Sequence, residues 1–573
     1  MDKKSGVYYY LTDNSLRPGG SSMFGGVVLM YTTKGEVGRL NTVTALDYRD
    51  RLGYDLAYNP NYAGLDTMLA SVARLDVLRL NDEATVANLC WDSTGAVSSV
   101  TGADSPEAVE ISNPQPAFWV SHKSPGDWGD RAIIFQKGDD ARKEYTLFYY
   151  AYVDDQFTQV RRTTFSLDPV ESDFYTNVNF GDLTIGFADK ANPVIPLSFS
   201  DEPEFIVNPN YDPDVEPTIP NPDYDSVTNP GVPPTIPNPD YELKKDEFIP
   251  NPNYDPCNFC YAAGVSVSVT TDNLLRSGSN GLDFNSEVVF TAADVALRLS
   301  ALEGSSANVL VMNGFHGGLG VSKIELAKAV VNYCGDRDIS VFLDAESFVN
   351  DVDLLDAPSV VDWAGDLLSI NGHYGQLSAV PDQMTTRAGT VLIQPSVYLF
   401  QIYARMFTNF GHVNFPPAGP SYGTVSASRL MESNFHLYGD ELKTGRVNYL
   451  TSTRNGICMW EQRTLYSLGG SDLSHASTVF ILRDLKYRLL DFMSQFTFRF
   501  STPVDLLTIR SGLTMILDLF IRNNFLFWYD LRVPTYEEAQ AAGRTMDIEI
   551  DVATTSDMQV INLMVALHNA ANL

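Results

Sequence analysis

Strand and helix patterns alternate in two widely separated stretches of this chain, and the residues between them follow a different period. In the first stretch, Gly25 to Thr33 reads GGVVLMYTT and closes on Lys34-Gly35, a strand followed by a turn. Ala63 to Arg74 then places Leu65, Met68, Leu69 and Val72 at helical spacing, and Val77 to Leu80 is a second strand. In the second stretch the order is strand Val309 to Asn313, helix Ser322 to Tyr333, strand Ser340 to Leu343 and helix Pro358 to Leu368. Alternation of this kind implies a mostly parallel sheet covered by helices. Both stretches are therefore expected to build one α/β domain that the intervening residues interrupt.

Between about residues 90 and 200 short alternating runs rich in Thr, Tyr, Phe and Val, such as Tyr145 to Val153, are separated by Gly and Pro turns. This reads as an inserted β-rich domain. From Glu204 to Cys257 four related units follow: NPNYD at Asn208, NPDYD at Asn221, NPDYE at Asn238 and NPNYD at Asn251. Proline removes amide donors and biases its predecessor toward extended backbone, so the tract is expected to form no regular sheet or helix and to lie exposed and extended. It is either a partner-binding decoration or a tolerated insertion.

Charge narrows the partners. The formal net charge of the 573 residues is −32, a surface that repels phosphates and anionic lipid headgroups, so direct nucleic-acid contact and membrane insertion are not expected. Self-assembly would have to overcome the same repulsion and should respond to salt and divalent cations. No secretion signal is evident at Met1-Asp2-Lys3-Lys4, and the apolar run Leu513 to Trp528 is interrupted by Asp518, Arg522, Asn523 and Asn524, a buried helix and not a span. Cys90, Cys334 and Cys458 are too far apart for a disulfide framework, and the pair Cys257/Cys260 has no second pair or nearby histidine to complete a zinc site. Reduced thiols fit assembly in a cytoplasm.

Catalytic signatures are missing. Gly314 to Gly320 sits between a strand and a helix, yet it has neither the GK[ST] ending of a P-loop nor dinucleotide spacing. Asp344 and Glu346 end a strand without a histidine beside them, and Asp351 and Asp353 lack the Gly and terminal Glu of a calcium loop. The seven histidines are scattered singly, and there is no G-x-S-x-G. No catalytic residue, cofactor or metal is assigned.

Two long helical patterns occupy the last third, with Val479, Leu482, Leu485, Leu489 and Phe492 on one and Leu506, Leu507, Leu513, Ile516 and Phe520 on the other, both expected to pack into a core against a sheet. Near the end, Met546, Ile548, Ile550 and Val552 alternate with Asp547, Glu549 and Asp551, a strand with one apolar and one acidic face. An acidic face opposes pairing with copies of itself but permits pairing with a different strand. Ser556 and Gln559 then fit a capping box opening a short helix. At the other end Val7, Tyr8, Tyr9, Tyr10, Leu11 and Thr12 form a strand followed by the flexible Arg17 to Ser22. Terminal strands on such connections suit strand exchange between subunits; the alternative is pairing within their own subunit.

In their order these segments resemble the contractile tail sheath proteins of phages and phage-derived injection devices. The opening GVYYYLTDNS strand, its small-residue linker and the run from Gly25 to Tyr54 are similar to the sheath N-terminus. Ser124-Pro-Gly-Asp-Trp-Gly129, Thr164 to Pro169, Pro416-Pro-Ala-Gly419 and Gly456 to Leu465 look like the family's "spG.WgN", "vSldp", "aPAG" and "G.viwG.RTL" segments, and the final strand and helix resemble its C-terminal arm. The INVRR-like segment is replaced by Val479-Phe-Ile-Leu-Arg483, and the NPxYD tract has no counterpart.

The resemblance, taken with the patterns above, implies an α/β and α+β multidomain fold: an N-terminal arm (1–22), the sheath α/β domain (23–90 and 258–429), an inserted β-rich outer domain (91–203), the repeat tract read from its composition (204–257), an inner sheath domain (430–545) and a C-terminal arm (546–573). It also implies stacked hexameric rings around a tail tube, with baseplate and tail terminator proteins as further partners. Such a sheath is assembled in the host cytoplasm, belongs to the virion tail and contracts to drive the tube through the host envelope. Strand exchange would use Val7 to Thr12 and Met546, Ile548, Ile550 and Val552, and Arg483, Lys486 and Arg488 are candidates for the tube contact. The sheath of a phage-derived bacteriocin or injection machine would look alike. A nucleotide-binding α/β enzyme and a display protein built on the NPxYD units are the rivals from other classes.

Overall fold

The computed structural model describes residues 24–555 apart from short internal stretches, the longest being 198–204, 251–273, 316–319 and 346–355. The chain divides into two compact units, Met1–Asp82 with Gly281–Leu573, and Glu83–Asn280. It leaves and re-enters the first unit at adjacent points, where the Leu282 amide donates to the Asp82 carbonyl at 2.7 Å.

The first unit is organised by strands Gly26–Met30 (β1), Leu40–Val43 (β2) and Leu75–Arg79 (β3), with helix Tyr62–Leu69 (α1) between the last two. After the interruption come Val309–Val311 (β4), Lys323–Gly335 (α2), Ser340–Asp344 (β5), Ala357–Leu367 (α3), Gly375–Ser378 (β6), Pro395–Phe410 (α4), Val447–Thr453 (β7) and Gly456–Trp460 (β8). They form one sheet in the order β2-β3-β1-β4-β5-β6-β7-β8, parallel throughout except at its two outer pairs. Strands β1, β4 and β5 are buried at every residue, as a sheet covered on both faces requires. Leu29, Leu310 and Leu343 pack on one face with α2 and α3, and Val28, Val311 and Phe342 on the other with α1 and α4.

Strand order reverses between β1 and β4, the position where open α/β sheets take ligands at their carboxyl ends. Here side chains of the chain itself fill that end. The Asn59 amide donates to the Tyr31 carbonyl at 2.8 Å, the Asn313 amide donates to the Asn61 carbonyl at 3.1 Å, and the rings of Tyr31 and Phe315 lie 5.3 Å apart. Gly314 has φ +80°, and a Cβ on it would meet the Asn61 amide at 2.1 Å, so glycine serves a close turn there. Asp344 is fully buried and accepts from the Ser396 amide at 2.7 Å and from the Ser396 hydroxyl, which fixes the first turn of α4. Glu346, Asp351, Asp353 and the rest of the Gly314 loop from 316 to 319 lie outside the described residues, as do Cys257 and Cys260.

The second unit holds a four-stranded and a three-stranded antiparallel sheet. The first is ordered Leu183–Phe187, Phe118–His122, Asn88–Trp91, Val97–Ser98, and the second Ala132–Lys137, Glu144–Val153, Gln156–Ser166. Trp91, Phe118, Phe135, Phe165 and Phe187 share one core, with Trp91 and Phe118 stacked at 4.9 Å.

The repeat tract corrects the expectation of an unstructured extension. Phe205–Val207 pairs with Phe248–Pro250 and Thr218–Pro220 with Thr235–Pro237, both antiparallel. Ile206 faces Ile249, and thirteen residues further along one arm and back along the other Ile219 faces Ile236, so both ladders belong to a single hairpin in one register. The asparagine of each described unit makes the same three bonds. Asn221 donates its backbone N–H to Pro234 O and its side-chain amide to Pro233 O, both at 2.9 Å, while its Oδ1 accepts from the Asp223 amide at 3.1 Å. Asn238 repeats this with Pro217 O, Glu216 O and the Asp240 amide, and Asn208 with Glu247 O, Asp246 O and the Asn210 amide. Asparagine side chains thus supply donors to carbonyls that proline-rich partners leave unclaimed.

Candidate assembly interface

The C-terminal part of the first unit is a helix pair carrying a strand ribbon. Helix Ala476–Ser494 (α5) is followed by Pro503–Arg522 (α6), whose start is fixed by Pro503 in the first turn and by the Thr502 hydroxyl accepting from the Asp505 amide at 3.2 Å. Ile481, Leu485 and Leu489 of α5 meet Ile509, Leu513, Leu517 and Phe520 of α6. At Gly512 a Cβ would lie 2.0 Å from the ring of Phe492, so glycine makes room for that ring between the helices.

Strands Leu526–Arg532 (β9) and Glu549–Thr554 (β10) pair antiparallel, with Tyr529 opposite Val552, Leu531 opposite Ile550 and Arg532 opposite Glu549. The alternation read in the sequence decides which face goes down: Met546, Ile548, Ile550 and Val552 pack toward the α5–α6 core. Glu549 and Asp551 stay exposed. Arg532 meets Glu549 at 3.3 Å, but Asp530 stands directly opposite Asp551, an unfavourable like-charge pair. Tyr529 donates to Asp518 at 2.6 Å, and that bond to a carboxylate pushes its phenol up to about 12. The acidic strand thus pairs with a different strand, and in the isolated chain that partner is the chain's own β9. Among the described residues no third strand pairs with either outer edge of this ribbon. Val7 to Thr12, the other expected exchange strand, lies outside the described residues, as does the capping box at Ser556.

One side of α6 departs from the expected core packing. Leu507 is 65% exposed, and Val504, Met515 and Leu519 line up with it at helical spacing, all exposed. Phe527 and Trp528 on the ribbon are exposed too. Exposed apolar side chains clustered along one side of a helix are what an interaction face presents.

The cations proposed for a tube contact are placed differently from expectation. Arg483 is buried and donates to Asn308 O at 2.8 Å, Asp338 O at 3.2 Å and Ser340 Oγ at 3.1 Å. Lys486 is also buried, 2.5 Å from Asp338 Oδ2, while the Tyr374 hydroxyl donates to Oδ1 at 2.8 Å. Burial holds the Arg483 guanidinium below its usual range and raises the Tyr374 phenol, whose proton the Asp338 carboxylate also retains. Because Asn308 precedes β4 and Ser340 opens β5, these charges tie α5 to the amino ends of the sheet. They are therefore withdrawn from any outside partner. Arg488 is only partly covered and pairs with Asp484 at 2.9 Å. No sequence signal distinguished buried from exposed cations here, since the partners are carbonyls and an aspartate remote in sequence.

The family-like segments have structural roles in the same region. Arg463 pairs with Glu461 at 3.3 Å and contacts His475 Nε2 at 3.0 Å, and the Leu465 amide donates to the carbonyls of both Gly372 and Gly375. After Pro416-Pro-Ala-Gly419, Tyr422 stacks on Phe415 at 4.7 Å, and Phe415, Phe410 and His412 form a cluster that reaches Phe525 at the base of β9. Burial holds the His412 imidazole below its ordinary range, against the pull of Asp484.

Among the described residues no group of three His, Cys, Asp or Glu side chains could hold a metal ion, and no helix is long and apolar enough to cross a membrane. No family profile matches the chain, and no curated protein matches it by sequence. Solved structures do match. The chain is similar to tail sheath proteins. One is the sheath tail protein from Listeria innocua, at 10% identity and TM-score 0.49, over 93% of this chain and 95% of that one. Another is the sheath tail protein from Desulfitobacterium hafniense, at 13% identity and TM-score 0.46, over 92% and 93%. The contracted helical sheath of the anti-feeding prophage matches at 15% identity and TM-score 0.37 over 47% of this chain and 74% of that one. These neighbours are of the kind that the ordered sequence segments resemble.

Proposed function

We propose that this chain is the structural subunit of a contractile tail sheath, polymerising as stacked hexameric rings around a tail tube and working by change of lattice and not by catalysis. The observation that carries the reading is the β9–β10 ribbon: the chain's last described strand lies in a two-stranded ladder with no described strand on either outer edge, seated on a helix pair that is itself locked to the sheet. Open edges accept further strands, and main-chain hydrogen bonds to a neighbour's arm would persist while flatter interfaces slide. Val7 to Thr12 of a neighbouring copy is the strand offered, and Met546 to Val552 stays with its own β9 or moves to that of a neighbour. The tube contact is reassigned from Arg483 and Lys486 to the exposed side of α6 around Leu507 and Met515. Baseplate and terminator proteins would cap the stack, and the sheath would belong to a phage tail or to a phage-derived device.

Electron microscopy of the purified chain tests this. Tubular polymers are expected, lost on deleting residues 1–20 or 546–573 while the remaining chain stays folded by circular dichroism. A monomer that persists at high concentration across salt conditions would overturn the reading.

A further inference from the structure

The repeat hairpin carries prolines at backbone positions that face away from its own partner arm. Its register decides which backbone groups point outward. The Asn221 amide bonds to Pro234 O and the Asn238 amide to Pro217 O, so residues 217, 219 and 221 face their partners 238, 236 and 234 in hydrogen-bonded pairs. In an antiparallel ladder the alternate residues turn their N–H and C=O groups away from the partner. These are Thr218, Pro220, Thr235 and Pro237. The Asn208 amide bonds to Glu247 O, which by the same argument turns Phe205, Val207, Phe248 and Pro250 outward.

Three of the four short strands therefore carry a proline at the outward-facing third position, where an N–H would otherwise be offered to another chain. Pro220, Pro237 and Pro250 are each exposed. At those positions proline costs the hairpin no internal bond, because the missing donor is one the hairpin never uses. At Pro220, Pro237 and Pro250 the outer edges keep a carbonyl and lose the N–H, while Thr218, Thr235, Phe205, Val207 and Phe248 keep theirs, so the row of donors a new strand would use is interrupted.

We propose that Pro220, Pro237 and Pro250 block edge pairing between the repeat hairpins of different copies of this chain, so that a locally concentrated array of exposed hairpins does not aggregate. The inference is independent of the sheath reading, since it concerns any solution in which many copies are crowded. It separates prolines by direction. Pro217 and Pro234 lie at hydrogen-bonded positions, so a residue with an N–H there faces the partner strand and adds a bond inside the hairpin.

The test compares two double variants of the full chain, Pro220→Thr with Pro237→Thr and Pro217→Thr with Pro234→Thr, by light scattering and sedimentation over a concentration series. The outward pair is expected to lower the concentration at which high-mass species appear by about tenfold or more, while the inward pair behaves as the parent. Circular dichroism melts establish that both variants fold. A folded outward variant as soluble as the parent would overturn the proposal, as would equal aggregation of both variants. A third variant, Thr218→Pro with Thr235→Pro, removes the remaining outward donors of that ladder and is expected to be at least as soluble as the parent.

Discussion

Two antiparallel ribbons in this protein treat their edges in different ways. The β9–β10 ribbon contains no proline, packs one face on the α5–α6 core and, among the described residues, has no strand on either edge. The repeat hairpin satisfies carbonyls of its facing arm with asparagine side chains and carries proline at outward positions. A two-stranded ribbon is marginal in water unless something covers a face or ties its ends. One ribbon solves this with a hydrophobic face and can leave its edges free for partners. The other solves it with side-chain hydrogen bonds, and its outward donor rows are interrupted by proline.

Four measurements bear on that contrast. The largest effect is expected from Lys486→Met, which leaves the Asp338 carboxylate buried beneath α5 and should cost about 3–5 kcal/mol in denaturant unfolding. Hydrogen exchange should show protection lost in α5, α6 and the β9–β10 ribbon, while the Asn221 and Asn238 amides keep theirs. Loss at both ribbons together would erase the distinction between a tethered and a self-contained ribbon. Next, Asn221→Ala removes an Asx turn and a cross-arm bond and should weaken the hairpin by about 1 kcal/mol, read as faster exchange at Asn238 with an unchanged global melt.

A smaller effect is expected from pH. Because burial depresses the His412 pKa, the folded chain binds its proton less readily than the unfolded chain does. The stability it contributes is complete above the unfolded value near 6.5 and is lost as pH falls through the lower folded value. The opening free energy at Phe525 and β9, taken from exchange rates corrected for the pH dependence of intrinsic exchange, should therefore fall below pH 6.5 in the parent and not in His412→Phe, with Asp484 and Arg488 near the ring in the parent. Smallest, Asp530→Asn relieves the pair with Asp551 and should stabilise the ribbon by about 0.2–0.5 kcal/mol in a thermal melt at low salt. A loss of stability there would mean that the two carboxylates are held apart in solution.

The parallel sheet was legible because burial on both faces leaves continuous apolar runs such as Val309 to Val311 and Ser340 to Leu343, and the helices between them carry their own period. The inward face of β10 was legible for the same reason: alternation at Met546, Ile548, Ile550 and Val552 is a local signal. The tract was misread because proline was counted only as a lost donor. Whether that loss matters depends on which way the N–H points, and direction is set by a register between residues far apart in the chain. Arg483 and Lys486 looked like available cations because a helix of α5's composition does not declare which side meets a sheet edge. Leu507 looked like core because its apolar spacing is the same whether the covering partner is in the chain or outside it.

What the sequence determined by itself was the set of local periods: where strands and helices form, which face of each is apolar, and where the α/β alternation breaks and resumes. Only the tertiary structure decided the directions in which polar groups point, placing Lys486 on Asp338, Asn221 on Pro233 and the N–H positions of Pro220 and Pro237 toward solvent. Periodicity is a property of neighbouring residues and survives in any fold. A hydrogen bond or an ion pair needs a partner within about 3 Å, and only the folded chain brings such partners together.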